Sequence, residues 1–357
     1  MRHLIVDRAG RGWIRAVQVL CVCAVATAAV ALPPPPANDT RATAEDLGTT
    51  FPVRVLGSTL LASNDVNDTG GALPALDTVI DGPDAFYRIV PTVSATFRFQ
   101  LAPWHYAPVR SSDRRFALYL MEDLGGGSFA FIDGVRAPGD ARPVHLDVAL
   151  TANTKYVLGV DHDAETHDQF QFTLFVDELT LTNPDDCSSV GVLPAGLPVV
   201  VLNDIDGATG DYLFTQSGGR CSTAGSTDAD GVDHVYDFTP PVSGDYAIEL
   251  VSFGFNAVLY VDDSCDPFFI DGCQGASDHS TTAGTSGGKH EFVVVTLDAG
   301  TPYYIFVDEE GTNNAGQYAL IIDDAVNYEV TEIEPNDTTA SASPIPLPLA
   351  GGQLGGA

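Results

Sequence analysis

After residue 36, hydrophobic and polar positions alternate with a period of two through most of the chain. Phe97, Phe99 and Leu101 alternate with Arg98 and Gln100, and Tyr246, Ile248 and Leu250 alternate with Ala247 and Glu249. Phe170, Phe172, Leu174 and Val176 form a third such face. Successive residues of a strand point to opposite sides of the sheet, so each run predicts a strand with one buried face. Clusters of Gly, Asp, Asn and Pro separate the runs, and no stretch beyond the leader carries the 3.6-residue period of an amphipathic helix. Short alternating strands joined by polar turns predict antiparallel sheets packed face to face.

The pattern also repeats. Asp81-Gly-Pro-Asp84-Ala-Phe-Tyr87 returns as Asp230-Gly-Val-Asp233-His-Val-Tyr236, and Thr154-Lys-Tyr156-Val-Leu-Gly-Val-Asp161 returns as Thr301-Pro-Tyr303-Tyr-Ile-Phe-Val-Asp308. Both displacements are roughly 150 residues, about one domain length. Glu334-Pro-Asn336-Asp337-Thr338 echoes Ala37-Asn38-Asp39-Thr40 and opens a third copy. The chain therefore divides into residues 1–31, a stiff proline spacer at 32–36, a first module at 37–179, a second at 180–325, and the incomplete start of another at 326–357. That last piece is too short to bury a core and is expected to be poorly ordered, with the natural polypeptide continuing past it. Each module has room for about eight strands. The fold class is all-β: tandem antiparallel jelly-roll-like β-sandwiches.

Residues 1–31 read as an export signal. Arg2, Arg8, Arg11 and Arg15 precede an apolar run from Ala16 to Leu32, and Ala29-Val30-Ala31 offers a small-x-small cleavage site. The run is short for a membrane span and four prolines follow it at once, so no membrane insertion is expected after cleavage. The formal charge of −32 becomes more negative once four arginines and one aspartate leave with the signal. Such acidity repels nucleic acid and anionic membranes, and it suits either solubility in a salty medium or the binding of divalent cations. Hydrophobic residues still make up 45% of the chain, enough for two cores.

Four cysteines follow the leader, Cys187, Cys221, Cys265 and Cys273, all in the second module. An even number in an exported chain predicts disulfides, and four cysteines can pair in three ways. Locality favours Cys265–Cys273 around a short acidic loop, which leaves Cys187–Cys221. A zinc site is the competing reading, but paired C-x-x-C spacing and nearby histidines are lacking. Cys187–Cys221 would pin the linker to the loop before Asp230, fastening the second module covalently.

The repeated motifs resemble the bacterial pre-peptidase C-terminal domain, a jelly-roll sandwich attached to many secreted proteases and surface proteins and related to the collagen-binding domains of clostridial collagenases. The resemblance rests on the Glu334-Pro-Asn336-Asp337-Thr338 opening, the Asp-x-x-Asp-x-x-Tyr strand start at Asp81, Asp84 and Tyr87 and again at Asp230, Asp233 and Tyr236, and Ala299-Gly-Thr-x-Tyr-Tyr304 followed by Gly316-Gln-Tyr318. The first module departs from the pattern at Asn153 and Phe170, and its residues 103–140 are hard to register against the second.

Paired loop carboxylates suit calcium, a hard cation that takes six to eight oxygens. The resemblance implies a calcium clip between linker acids and the Asp-x-x-Asp, which nominates Asn38 and Asp39 with Asp81 and Asp84, and Asp186 with Asp230 and Asp233. The other reading has the same residues capping turns ahead of a strand. Asp161-His162-Asp163 with His167 and Asp168 reads as an exposed polar hairpin rather than a transition-metal site, because the second copy keeps acidity there (Asp308-Glu309-Glu310) but not histidine. Trp104, with Tyr106 beside it, is either a contact for sugar or protein or a lid over the sandwich end. Gly284-Thr-Ser286-Gly-Gly288 matches a nucleophile elbow by letter only, since no helix pattern follows it.

These readings point to a non-catalytic, exported protein, secreted or on the cell surface of a bacterium. It would act as an adhesion, matrix-binding or spacer segment whose partners are extracellular matrix, polysaccharide or a cell-surface protein, with calcium as the one cofactor implied. The alternative is an accessory region of a secreted hydrolase, such as a protease, whose catalytic domain lies outside this chain.

Overall fold

Nine strands of the first half come in the order β1 (Glu45–Asp46), β2 (Val53–Ser58), β3 (Ala85–Ile89), β4 (Ala95–Pro103), β5 (Phe116–Gly125), β6 (Ser128–Arg136), β7 (Val144–Leu150), β8 (Tyr156–His162) and β9 (Gln171–Glu178). The second half supplies β10 (Gly191–Val192), β11 (Val199–Asp204), β12 (Asp233–Phe238), β13 (Gly244–Phe253), β14 (Ala257–Asp262), β15 (Gly275–Ser277), β16 (His290–Leu297), β17 (Tyr303–Glu309) and β18 (Gln317–Asp324). This computed structural model describes residues 36–59, 61–66, 82–103, 116–137, 143–162, 171–212, 229, 231–265, 272–278, 290–311 and 316–328. All lie in one compact unit, residues 35–357; the other unit, residues 1–34, falls outside them. Besides strands, only two short 3-10 turns occur among the described residues, Arg41–Thr43 and Ala325–Tyr328.

The sheets run β1-β3-β8-β5-β6 and β2-β9-β4-β7 in the first half, and β10-β12-β17-β14-β15 and β11-β18-β13-β16 in the second. Strand for strand the two orders are the same, so the sequence repeat is a structural repeat: β2 matches β11, β3 matches β12, β4 matches β13 and so on to β9 and β18. Apart from the β5–β6 and β14–β15 hairpins, chain neighbours fall in opposite sheets, which is jelly-roll winding. All pairings are antiparallel except the two-residue edge strands, where β1 joins β3 and β10 joins β12 in parallel. A cis peptide bond precedes Pro52 and Pro198, just ahead of β2 and β11.

The alternation places the cores. Phe97, Phe99 and Leu101 point inward with Phe172, Leu174 and Val176, while Tyr246, Ile248 and Leu250 point inward with Tyr318, Leu320 and Ile322. Each sandwich buries a second, smaller apolar layer on the outer face of its five-stranded sheet. In the first half that layer is Phe86, Ala117, Tyr119, Met121 and Val157 under Ala44 and Val66. In the second it is Tyr212, Val235, Val258, Tyr260 and Phe306. The linker and the loop before β3 or β12 cover this layer, and that cover builds the site described next.

Candidate functional site

Each five-stranded sheet has an acid at the start of its second strand, buried under the chain that enters the module. In the first half Asp84 directly precedes β3, and its Oδ2 accepts the backbone N–H groups of Asp65 at 2.6 Å and Val66 at 2.8 Å. Its own N–H donates to the Ser63 carbonyl at 2.9 Å. Asp39, from the linker, takes the other end of that loop: it accepts the Ser63 N–H at 2.5 Å and the Ser63 hydroxyl at 3.1 Å. The Phe86 N–H donates to the Asn38 carbonyl at 2.9 Å. Two carboxylates thus hold linker, loop and β3 as a clasp.

The second half repeats the clasp atom for atom. Asp233 Oδ2 accepts the N–H groups of Asp211 at 2.9 Å and Tyr212 at 3.0 Å, and its N–H donates to the Thr209 carbonyl. Asp185 accepts the Thr209 N–H at 2.5 Å and its hydroxyl at 3.0 Å, while the Val235 N–H donates to the Pro184 carbonyl. The counterpart of Asp39 is therefore Asp185. Asp186, expected in that role, instead sits where Thr40 does and closes a turn by accepting from Ser188 and Ser189. These bonds, the Ser188 hydroxyl first, lower its pKa. Thr40 likewise caps the Arg41–Thr43 turn in a capping box.

A second buried acid faces each clasp. Asp161, one step beyond the Ala85–Val160 pair of β3 and β8, is fully buried and shares a hydrogen bond with Asp84. In the second half Asp308 lies directly across from Asp233 in the β12–β17 register, and both are fully buried. A tyrosine from the next strand reaches each pair: the Tyr119 hydroxyl donates to Asp84 at 3.5 Å and the Tyr260 hydroxyl to Asp308 at 3.1 Å. The expectation of an exposed polar hairpin is corrected here for Asp161, Asp308 and Glu309, each fully buried. A strand-end acid in a hairpin is exposed only when nothing covers the sheet, and in this fold the entering chain covers it. Register carried the clue, since Asp161 and Asp308 hold the same place in both copies of the repeat.

Burial dominates the electrostatics. It pushes Asp233 up to about 8, against the opposing pull of the Tyr212 and Asp211 N–H groups. It raises Asp84 as well, while Asp161 and the loop amides work against it. Burial also lifts Tyr119 and Tyr260 well above the usual phenol range, with the neighbouring acids adding to it. Two carboxyls this close out of water cannot both carry bare charge; a proton or a cation must offset one of them. Asp233 Oδ1 is buried without a hydrogen-bond partner among the described residues.

That open oxygen, on the residue paired with Asp308 across the sheet, is the feature that fits a hard cation. Against it, the remaining oxygens of Asp39, Asp84, Asp185 and Asp233 already accept backbone or hydroxyl hydrogen bonds. Among the described residues no group of three or more His, Cys, Asp or Glu could hold a metal ion. Asp81 and Asp230, the other half of each Asp-x-x-Asp, lie outside the described residues, as do Trp104, Tyr106, Asp163, His167, Asp168 and Ser286.

The disulfide expectation is overturned. Cys187 bonds Cys265, with Cα atoms 5.7 Å apart, and Cys273 is disulfide-bonded as well. Short loops are favoured when chain entropy alone decides, but β14 carries Cys265 beneath the linker before the chain can turn back. The Cys187 N–H donates to the Tyr212 hydroxyl at 2.8 Å, so the bond locks the linker over the same outer layer that the clasp covers. Sequence reasoning also missed a buried polar chain at the end of the second sandwich. His234 meets Tyr318 at 2.7 Å and Asn183 at 3.0 Å, Tyr318 meets Tyr236 at 2.5 Å, and Asn203 donates to Tyr236 at 2.8 Å. Burial lowers His234 to about 4, so its ring is neutral.

No family model matches the chain, and no curated protein matches it. Among solved structures it is similar to a β-glucosidase from Kluyveromyces marxianus (20% identity, 26% of this chain and 10% of that one, TM-score 0.19). It is also similar to tripeptidyl peptidase 2 (12% identity, 78% and 24%, TM-score 0.24) and to PNGase F, a glycosylasparaginase from Flavobacterium meningosepticum (10% identity, 77% and 96%, TM-score 0.25). The chain thus spans 10% of the glucosidase and 24% of the peptidase. At these TM-scores the likenesses identify neither a family nor an activity.

Proposed function

We propose that this chain is an exported, non-catalytic pair of pre-peptidase-like β-sandwich modules that serves as an adhesion or spacer segment outside the cell. The observation that carries this reading is the clasp. In both modules the linker acid and the strand acid are engaged with backbone, so they act as fasteners rather than as groups poised to transfer protons. A disulfide that ties down the linker supports an oxidising compartment, in keeping with secretion or display on a bacterial surface.

Calcium belongs to the same proposal as a structural ion. It would take the open Asp233 Oδ1, which belongs to the residue paired with Asp308 across the sheet. Its chemistry there would be to replace the shared proton and stiffen the clasp. Extracellular matrix proteins, polysaccharides and cell-surface proteins are the partner classes of the proposal.

The experiment is retention of the full chain on immobilised collagen and a polysaccharide panel, with calcium and with chelator, while the panel is assayed for hydrolysis. Saturable retention without turnover is the expected result. Hydrolysis of any panel member by the purified chain would overturn the non-catalytic reading, and retention unaffected by chelator would remove calcium from it.

A further inference from the structure

The two sandwiches meet through the outer faces of their four-stranded sheets. Ala102 and Phe175 of the first pack with Leu202, Val251, Phe253, Ala319 and Ile321 of the second in one buried cluster. Charges are buried with them. Arg54 of β2 pairs with Glu249 of β13, their side chains 10% and 1% exposed. Arg98 of β4 is held by Asp147 at 2.8 and 2.9 Å, and it donates to the carbonyl of Asn203 in β11 at 3.3 Å, with Asp204 at 4.0 Å.

The strand pairing across this contact is reciprocal. β2 meets β13 through Arg54, and β4 meets β11 through Arg98. Because β13 is the counterpart of β4 and β11 the counterpart of β2, the second contact is the first with the modules exchanged. That is the signature of an isologous, two-fold packing, which closes on itself and cannot propagate. The register extends it to single residues: Glu249 corresponds to Gln100, and Arg54 to Val200, through the β4–β9 and β2–β9 pairings and their equivalents. Gln100 is fully buried and neither of its amide atoms has a hydrogen-bond partner among the described residues. A two-fold accounts for this, since it sets Gln100 opposite Val200 where its mate Glu249 meets Arg54.

We infer that this sheet face is a homotypic docking surface whose partner is the same sheet of another module of this type. The two modules form one closed, rigid unit, and modules of this kind assemble as discrete pairs rather than as an evenly stacked row. A module joined after residue 328 would find this face of its neighbour already covered.

The test uses the full chain with a specific protease site inserted between Thr180 and Leu181, both exposed in the linker. After cleavage the halves are expected to co-elute at micromolar concentration. Glu249→Arg sets two buried like charges together and is expected to weaken that association at least about a hundredfold, with Arg54→Glu/Glu249→Arg restoring it. Gln100→Glu with Val200→Arg installs the missing mate of the bridge and is expected to slow dissociation about tenfold. Free separation of the cleaved, otherwise unaltered halves would overturn the closed pair without any change in the sheet. Failure of the Gln100→Glu/Val200→Arg pair to slow dissociation, with folded circular dichroism intact, would overturn the two-fold.

Discussion

The two modules share winding, register and clasp yet are fastened by different chemistry. In the first, Tyr119 lies across β8 at Gly159, and the end of the core is closed by Tyr87 edge-on to Phe172 at 6.2 Å. In the second, Phe306 stands where Gly159 does. Tyr260 stacks on it at 4.6 Å, Tyr212 meets it edge-on at 5.0 Å, and the end of the core is closed by the His234–Tyr318–Tyr236–Asn203 chain. Only the described residues of the second show a covalent tie between linker and sheet. What is held constant is backbone hydrogen bonding to the clasp acids; what varies is how the layer above it is filled. The clasp is therefore the part the fold cannot exchange, and the filling is interchangeable so long as volume and polarity are balanced.

The largest break in this comparison comes from the disulfide. A loop of 78 residues contributes about 4.5 kcal/mol in the chain-entropy model. Cys187→Ser with Cys265→Ser is expected to lower hydrogen-exchange protection of β11 and β12 by a large part of that, while β2 and β3 keep theirs. An equal fall in both modules would mean that the bond does not fasten the second one in particular.

Next in size is pH. Asp233 is pushed up to about 8 in the fold from 3.8. Its contribution is therefore complete below pH 4 and lost as pH rises through 8, the reverse of an ion-paired aspartate. In chelator, urea unfolding of the second module is expected to show a fall on the order of a few kcal/mol between pH 4 and 8.5, which Asp233→Asn removes. Calcium that restores stability at the high end would sharpen the picture, with the cation standing in for the proton. Asp84 is raised in the same direction, so the slopes of Asp84→Asn and Asp233→Asn rank the two clasps. A wild-type profile that rises across this range would refute the buried, protonated carboxyl.

Alternation at Phe97, Phe99 and Leu101 and at Tyr246, Ile248 and Leu250 was enough to read the inward faces, and the repeat was enough to anticipate two equivalent windings. The same alternation says which side a residue takes and nothing about what covers that side. Arg98 and Glu249, on the polar side, are 2% and 1% exposed because another module lies over them. Asp161 and Asp308 are covered too, in their case by the chain that enters their own module. The Cys187–Cys265 pair was invisible because β14 and the linker become neighbours only when the sheet has formed. Aligning Asn183-Pro184-Asp185-Asp186 on Ala37-Asn38-Asp39-Thr40 puts Asp185, not Asp186, over Asp39, so the linker acid of the second module is legible in the repeat itself.

The finest test of interchangeable filling is Gly159. A Cβ there would sit 2.3 Å from Tyr119 Cζ and 2.4 Å from Cε2, closer than carbon atoms approach. The ring cannot swing away freely, because its hydroxyl reaches Asp84 and its edge is packed under the entering chain. Gly159→Ala is therefore expected to cost about 1–3 kcal/mol, felt first in the protection of β3 and β5. Replacing Tyr119 by alanine in the same chain removes the obstacle, so the second substitution should cost less in the Gly159→Ala background than alone. Strict additivity would show that Gly159 serves the backbone instead of making room for the ring, and the two modules would then differ in strand geometry as well as in filling.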